Sequence, residues 1–417
     1  MKLRPIVAAL AAVSVVAAGS ASAAMPTHAY VSHSAKGANK SCSSPGFNSV
    51  QAAVDAVAPN GTVYLCGSEP FLEQVFLTKS VTVTGGPDAS IGSPAIGGFA
   101  DAASIRFPTK FQTGNLLAPQ AIVVVTGADT KATIKGIDIN GPLPGNGGCA
   151  NREYGVLVLE GFLNLTQASV TNARDANESL NGCQFGVGVQ VGSTHWLKPD
   201  GSPTDANSDP HFTADAEIDN TFVSGYAKNG IVIDGLDSDG DIHDNTVIGS
   251  GQTTVVAQNG IEIVRGATGE VYNNSISANQ YTGAGVASST GVLLFGGCGD
   301  PLVTNVDVHN NTAVNNDVGI SMNNYSADPN CVAPATTPTK DRAYNNKISN
   351  SAVTNVSGFG GGQGYQAGVA DVGNLDQIGN NKISGPGYAQ STTPAWVSPI
   401  DTTSTIKAKT YRNPYKP

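Results

Sequence analysis

One motif returns along most of this chain and decides what it can fold into. A turn glycine followed by a short strand with alternating apolar positions occurs at Tyr154-Gly-Val-Leu-Val158, Phe185-Gly-Val-Gly-Val189, Asn229-Gly-Ile-Val-Ile233, Asn259-Gly-Ile-Glu-Ile263, Thr290-Gly-Val-Leu-Leu294, Val318-Gly-Ile-Ser-Met322 and Ala367-Gly-Val-Ala-Asp371. A second element alternates with it: Ile242-His-Asp-Asn-Thr-Val247, Val271-Tyr-Asn-Asn-Ser-Ile276, Val308-His-Asn-Asn-Thr-Ala313, Ala343-Tyr-Asn-Asn-Lys-Ile348 and Ile378-Gly-Asn-Asn-Lys-Ile383. Successive copies stand about thirty residues apart, too close for separate domains and right for single turns of a solenoid.

In such a stack each coil sits on the next at about 4.8 Å, the ordinary spacing of paired strands. Asn245, Asn274, Asn311, Asn346 and Asn381, with Asn220 before them, then lie above one another. Stacked amides bond each other and the backbone of the bend, so asparagine recurs there for a structural reason. The fold expected is all-β: a right-handed, single-stranded parallel β-helix of about ten coils, roughly 50 Å long. Phe47, Val50, Val54 and Val57 recur at helical spacing. Residues 48–58 therefore read as a short amphipathic helix over the open N-terminal end, with Asn48 and Gln51 as its capping pair. Pro59-Asn60-Gly61 is a turn, and strands follow at residues 62–66, 74–77 and 81–84. Residues 403–411 cover or extend the last coil.

The first residues point to export. Lys2 and Arg4 precede an apolar stretch and the small-residue pattern Ala21-Ser-Ala23, so residues 1–23 read as a secretory signal peptide, too short for a membrane anchor. Residues 24–45 read as a flexible lead-in, and residues 46–417 as one domain with loop insertions near 141–151, 192–214 and 326–340. The product expected is secreted, with no membrane span. An even number of cysteines in an exported chain suggests the neighbouring pairs Cys42–Cys66, Cys149–Cys183 and Cys298–Cys331, buried free thiols being the alternative. No Cys-x-x-Cys accompanies them, which speaks against metal ligation.

The chain carries a net charge of −10 and no basic stripe, so nucleic acid is not an expected partner. An acidic surface also repels polyuronates unless a local cation site compensates. Charged residues make up only 13% and glycine is abundant, which suits many short strands joined by turns needing positive φ. Nothing in the sequence calls for a second subunit, so a monomer is the default.

The opening Ser49-Val-Gln-Ala-Ala-Val-Asp-Ala-Val-Ala-Pro-Asn-Gly-Thr-Val-Tyr64, followed by Glu73-Gln-Val75 and Lys79-Ser-Val-Thr-Val83, resembles that of pectinesterase-like β-helix proteins. It also looks like the periplasmic accessory proteins of nitrous oxide reductase. The later repeats resemble the general repeat of polysaccharide lyases and polygalacturonases, within the pectate lyase-like superfamily. The resemblance spans residues 46–400 and implies the fold together with acidic-polysaccharide chemistry as the commonest role. It carries over no active site. The Gly-His-Gly turn of polygalacturonases is missing, and Asn229 and Asn259 stand where the first aspartate would precede glycine. The paired aspartates of pectinesterases are not evident. An Asp209-Pro210-His211 segment like that of alginate epimerases lies inside an irregular loop.

β-Helix enzymes work on the outer face of one sheet, so the outward residues of the glycine-led strands are the place to look. These read as Leu157, Gly188, Val232, Glu262, Leu293, Ser321 and Ala370, a mostly inert row. A further step adds Glu160, Gln190, Asp234 and Asn323, with Arg265 at a strand end. Asp234, Glu262 and Arg265 are the candidate catalytic set, the two carboxylates roughly 8 Å apart on strand geometry. That separation suits the acid and base of an inverting glycosidase, with room for a water. A metal between carboxylates, with Arg265 or a nearby Lys as base, would instead support lyase elimination. The competing reading is a solvated ion pair between strand ends. Asp237, Asp239 and Asp241 form the densest acidic run and are the candidate calcium ligands, Ca2+ being the only cofactor expected. His195, Trp196, Gln190 and Asn323 are the candidate substrate contacts, Trp196 as a stacking ring on the long 192–214 excursion.

The function expected is a secreted β-helix that binds, and as a lyase or inverting hydrolase cleaves, an acidic polysaccharide. The rival is a non-catalytic extracellular binding or surface scaffold, which the inert outward row favours. A role in metal insertion finds little footing in six histidines and three methionines, all scattered.

Overall fold

The structure, a computed structural model of the full chain, describes residues 24–86, 88–95, 120–144, 152–178, 181–194, 212–285, 287–297, 300–325, 337–356, 364–402 and 407–417. Residues 1–23, Cys149, Cys298, Cys331, His195, Trp196 and most of the three expected insertions lie outside these.

The strands build three sheets of twelve, ten and eleven members, and every pair within them is parallel. Each coil gives one strand to each sheet in turn. Ser169–Thr171 joins the eleven-stranded sheet, Val187–Val191 the ten-stranded and Ala214–Asp219 the twelve-stranded, after which Phe222–Ser224 returns to the first. The chain is a right-handed parallel β-helix, the hand that parallel crossovers take. Alternation drives it. Ile231, Ile233, Ile242, Val247, Ile261, Ile263, Val271 and Ile276 point inward from successive strands and are fully buried in one continuous core. Each such side chain contributes roughly 1.5–3 kcal/mol by leaving water.

The asparagine ladder runs up one corner. The Oδ1 of Asn274, Asn311, Asn346 and Asn381 each accepts from the backbone N–H and the amide of the asparagine one coil earlier, at 2.9–3.1 Å. Each Nδ2 also donates to a carbonyl of the preceding coil, as Asn311 does to Val271 at 2.8 Å. Asn220 is not a rung. Its φ of 48° aligns it with Asp244, Asn273, Asn310, Asn345 and Asn380, the residues that turn the corner in left-handed backbone. Thr221 takes the ladder position and donates its N–H to Asn245 at 3.0 Å. At the far end Asn413 adds a rung that the repeats do not announce.

A glycine column explains the leading glycine of each strand. At Gly155, Gly188, Gly230, Gly260, Gly291, Gly319 and Gly368 a Cβ would lie 2.4–2.7 Å from a carbonyl of the next coil. Gly188 is the column member, not Gly186, so the tandem Gly-Val-Gly-Val shifts the frame there by two. Gln190, rather than Gly188, therefore shares the outward row of Leu157 and Val232.

The helix spans Val50–Ala56 and buries Val50, Ala53 and Val54 over the open end. Ser49 caps it, accepting from Ala52 N–H, and Glu73 accepts from the N–H groups of Val50 and Gln51 at 2.7 and 3.1 Å. The expected Asn48–Gln51 cap does not form, because the Gln51 amide is occupied by the backbone of Phe76. Within residues 24–45, read as a lead-in, one segment forms a strand of the solenoid. His28–Val31 pairs with Gly61–Leu65, inserts Ala29 and Val31 into the core, and is tied down by the Cys42–Cys66 disulfide. Cys183 is also disulfide-bonded. At the other end Lys409–Tyr411 and Tyr415–Lys416 extend the last coil. Among the described residues no helix is long and apolar enough to cross a membrane.

Candidate functional site

The register sorts the outer face of the ten-stranded sheet into three rows. Val187, Asn229, Asn259 and Thr290 form one, and Leu157, Gln190, Val232, Glu262, Leu293 and Ser321 the next. Asp234, Val264, Phe295 and Asn323 form the third. Early in the rod this face is buried, where Phe76, Val124, Leu157, Val187, Phe212 and Val232 pack as a second apolar cluster. Phe212 comes from the close of the long excursion, whose neck is pinned by paired Ser193–Phe212 backbone bonds. Beyond Glu262 the rows open only in part: Leu293, Phe295 and Asn323 are half-buried, while Thr290 and Ser321 stay buried and Val318, Ala367 and Ala370 pack together. The charged residues stand at that boundary.

Asp234 is 2% exposed and Glu262 9%. Arg265 takes both oxygens of Asp234, Nε at 2.7 Å and Nη2 at 2.6 Å, and Gln190 adds a bond of 3.3 Å. Burial alone would push the Asp234 carboxyl up; the Arg265 charge and hydrogen bonds more than offset it and hold the carboxyl below its ordinary range. Burial likewise works against the Arg265 charge, but Asp234 outweighs it and the guanidinium stays protonated. Glu262 differs. Burial raises its carboxyl, and Arg265, Lys228 and an Asn259 hydrogen bond only partly oppose this. The Lys228 ammonium is pushed down by burial, with Glu262 pulling the other way, and Nζ donates to the Ala257 carbonyl at 2.6 Å. Asp234 and Glu262 thus lie on one face, one coil and two residues apart, roughly 8 Å by strand geometry.

No protein-family model matches this sequence, and no curated protein does. Solved structures do. The Dettilon tailspike protein aligns at TM-score 0.43 and 12% identity, over 84% of this chain and 62% of its own. The lacto-N-biosidase of Eubacterium ramulus aligns at 0.45 and 11%, over 93% and 67%. The DFA-IIIase of Arthrobacter chlorophenolicus A6, without its lid, aligns at 0.36 and 13%, over 87% and 92%. This chain spans under two thirds of the tailspike. The likeness is one of fold.

The geometry sorts the expected residues. Asp234, Glu262 and Arg265 are together, but not as a solvated pair, and their chemistry is unequal. A guanidinium spent on two hydrogen bonds has no lone pair to act as base, and Asp234 has both oxygens engaged. Glu262 has its carboxyl raised towards the neutral form and, among the described residues, only Asn259 bonded to it, at Oε2. Gln190 is 5% exposed and bonds Asp234 and the Gly192 carbonyl, so it braces the acid. Asn323 stands on the open stretch, while His195 and Trp196 lie outside the described residues. Asp239 and Asp241 project from the twelve-stranded sheet, and Asp237 from the turn before it. Asp237 borders a cleft of about 780 Å³ with Asp129, Lys131, Glu160, Phe162 and Asp215. Asp239 accepts from Thr268, and among the described residues no group of three or more His, Cys, Asp or Glu is arranged to hold a metal.

Sequence reasoning missed several partners. Lys228 and Asn259 flank Glu262; Asn259 was legible as the residue before a column glycine, and Lys228 stands two residues before another. Farther along the open stretch Tyr365 and Trp396 stack with centroids 5.3 Å apart. On the twelve-stranded sheet His243, Tyr272, His309 and Tyr344 stack at 4.8–5.3 Å, His243 and His309 meeting Glu217 and Glu270 of the coil before. That column follows from the period-two alternation of the repeats.

Proposed function

We propose that this is a secreted, glycan-directed β-helix of the pectate lyase-like kind, contacting its ligand along the outer face of the ten-stranded sheet with Glu262 as proton donor. The observation that carries the reading is the Glu262 carboxyl, kept towards its neutral form beside Lys228 and the Asp234–Arg265 pair at the edge of the open stretch. A buried carboxylic acid beside an ionised one is the environment that lets one group deliver a proton while the other shapes the field. Burial raises the Glu262 carboxyl towards its neutral form, which leaves the Lys228 and Arg265 cations less fully balanced by Asp234 and Glu262 on an otherwise acidic protein. A uronate is thereby admitted where the rest of the surface would repel it. The half-buried Tyr365–Trp396 stack supplies apolar ring surface on the same face. The Cys42–Cys66 disulfide suits an exported chain.

A non-catalytic binding scaffold is the second reading, and one observation favours it: Asp234 is too fully engaged with Arg265 to activate a water. The test is binding of, and reducing-end release from, uronate and neutral polysaccharides by the wild type and Glu262→Gln, with calcium and with chelator. Uronate cleavage lost in Glu262→Gln supports the hydrolase. Unsaturated products that vanish with chelator would move the reading to a calcium lyase. Binding without cleavage in either protein would leave the scaffold, and no binding at all would overturn the glycan reading.

A further inference from the structure

The amide beside Glu262 has no freedom left. Asn259 Oδ1 accepts the Thr290 hydroxyl at 2.8 Å. Its Nδ2 donates to Asn229 Oδ1 at 3.1 Å and to Glu262 Oε2 at 3.2 Å. Asn229, Asn259 and Thr290 are consecutive members of one row, so the three side chains form a short column parallel to the rod. Asn259 is 5% exposed and Thr290 also 5%, which keeps water from competing for these bonds. An amide nitrogen donates and cannot accept, so Oε2 is the accepting oxygen of Glu262. No other hydrogen bond to Glu262 occurs among the described residues.

We infer that Asn259 is the positioning residue of this site: held by Thr290 and Asn229, it occupies Oε2 and leaves Oε1 as the oxygen of Glu262 that takes and gives up a proton. The reasoning is directional. Were the amide turned over, its oxygen would face Oε2 and call the proton there, while its nitrogen would face the Thr290 hydroxyl. The Asn229 amide would then have to turn as well to restore a donor between the two. The column therefore specifies which oxygen of Glu262 exchanges the proton, and Thr290 acts on Glu262 only through Asn259. This deepens the glycan reading and rests on it for its use, though the arrangement is readable without any glycan.

The test is the titration of the Glu262 carboxyl in the full-length protein, followed by infrared or carbon-13 signals absent from Glu262→Gln. Removing the donor in Asn259→Ala is expected to raise the midpoint by about one unit, because a bond to the charged form is lost. Asn259→Asp is expected to raise it further through like charge. Thr290→Val keeps the shape and removes the hydroxyl that fixes the amide, so a smaller rise is expected there. An unchanged midpoint in Asn259→Ala, or in Thr290→Val with Asn259 intact, would overturn the inference. Shifted midpoints with no glycan bound by any variant would sink the functional reading alone. Weakened glycan binding with an unshifted midpoint would sink this one.

Discussion

Arg265 reaches back one coil and closes both oxygens of Asp234, at 2.7 and 2.6 Å, beneath a face where the aspartate is 2% exposed. Removing one partner of such a pair leaves the other charge buried and uncompensated. Asp234→Ala and Arg265→Ala are each expected to cost about 3–5 kcal/mol. The double variant should cost less than their sum, because it leaves no orphan charge. Urea denaturation of the three variants checks this, and single losses below about 1 kcal/mol would mean the pair behaves as a solvated one after all.

The asparagine ladder offers a graded test. Asn311 is fully buried, gives its amide to Val271 and Asn346, and accepts from Asn274. Asn311→Ala strands buried backbone and amide groups, and a loss of about 2–4 kcal/mol is expected from two or more unmade bonds. Asn413 ends the column half-buried, where water can take over the bonds it makes with Asn381 and Ile378, so Asn413→Ala should cost about 1 kcal/mol. Equal costs at the two positions would show that the rungs act singly and not as a column.

The solenoid was legible because its repeats state the alternation, the corner and the glycine column together. What escaped was register. Gly186 and Gly188 are equivalent in sequence, and only carbonyl contact with Gly230 selects the second. Asn220 and Asn245 look alike too, yet left-handed backbone claims one and amide pairing the other. Asp234, Glu262 and Arg265 were readable as neighbours, since strand spacing fixes that much. Their protonation was not. It depends on how deeply the outer face is buried, and outward residues of a solenoid carry no mark of what lies over them.

The glycine column separates steric from conformational need. A Cβ on Gly260 would meet the Gly291 carbonyl at 2.7 Å and Ile276 Cγ2 at 2.5 Å, with backbone on one side and packed core on the other. Gly260→Ala is expected to cost about 1–3 kcal/mol or more, as overpacking does. Gly86 has nothing within 4 Å of that position. Gly86→Ala should be neutral or stabilising by up to about 1 kcal/mol, through the unfolded chain. Thermal unfolding of the pair decides it, and similar shifts in both would remove the steric account of the column.

Protons trapped in the fold make stability depend on pH in a definite direction. Burial, a hydrogen bond that protonated Glu153 donates to Asp175, and the Asp175 charge push the Glu153 carboxyl up to about 8. Burial and the neighbouring Asp371 carboxyl push Asp376 up to about 8, and burial pushes Asp317 to about 7 against several donors. In the unfolded chain these groups titrate near about 4. A folded value above the unfolded one means the contribution is complete below about pH 4 and lost as pH rises through 7 and 8. Asp234 runs the other way, its lowered carboxyl giving stability that is lost only in acid, so it leaves the neutral window untouched. Urea midpoints should therefore fall steadily from about pH 5 to pH 8, each trapped proton adding about 1.4 kcal/mol per pH unit while it persists. Asp376→Asn keeps the shape and should flatten that slope by one proton. A midpoint that stays level or rises across this range would mean that these carboxyls are ionised in the folded protein.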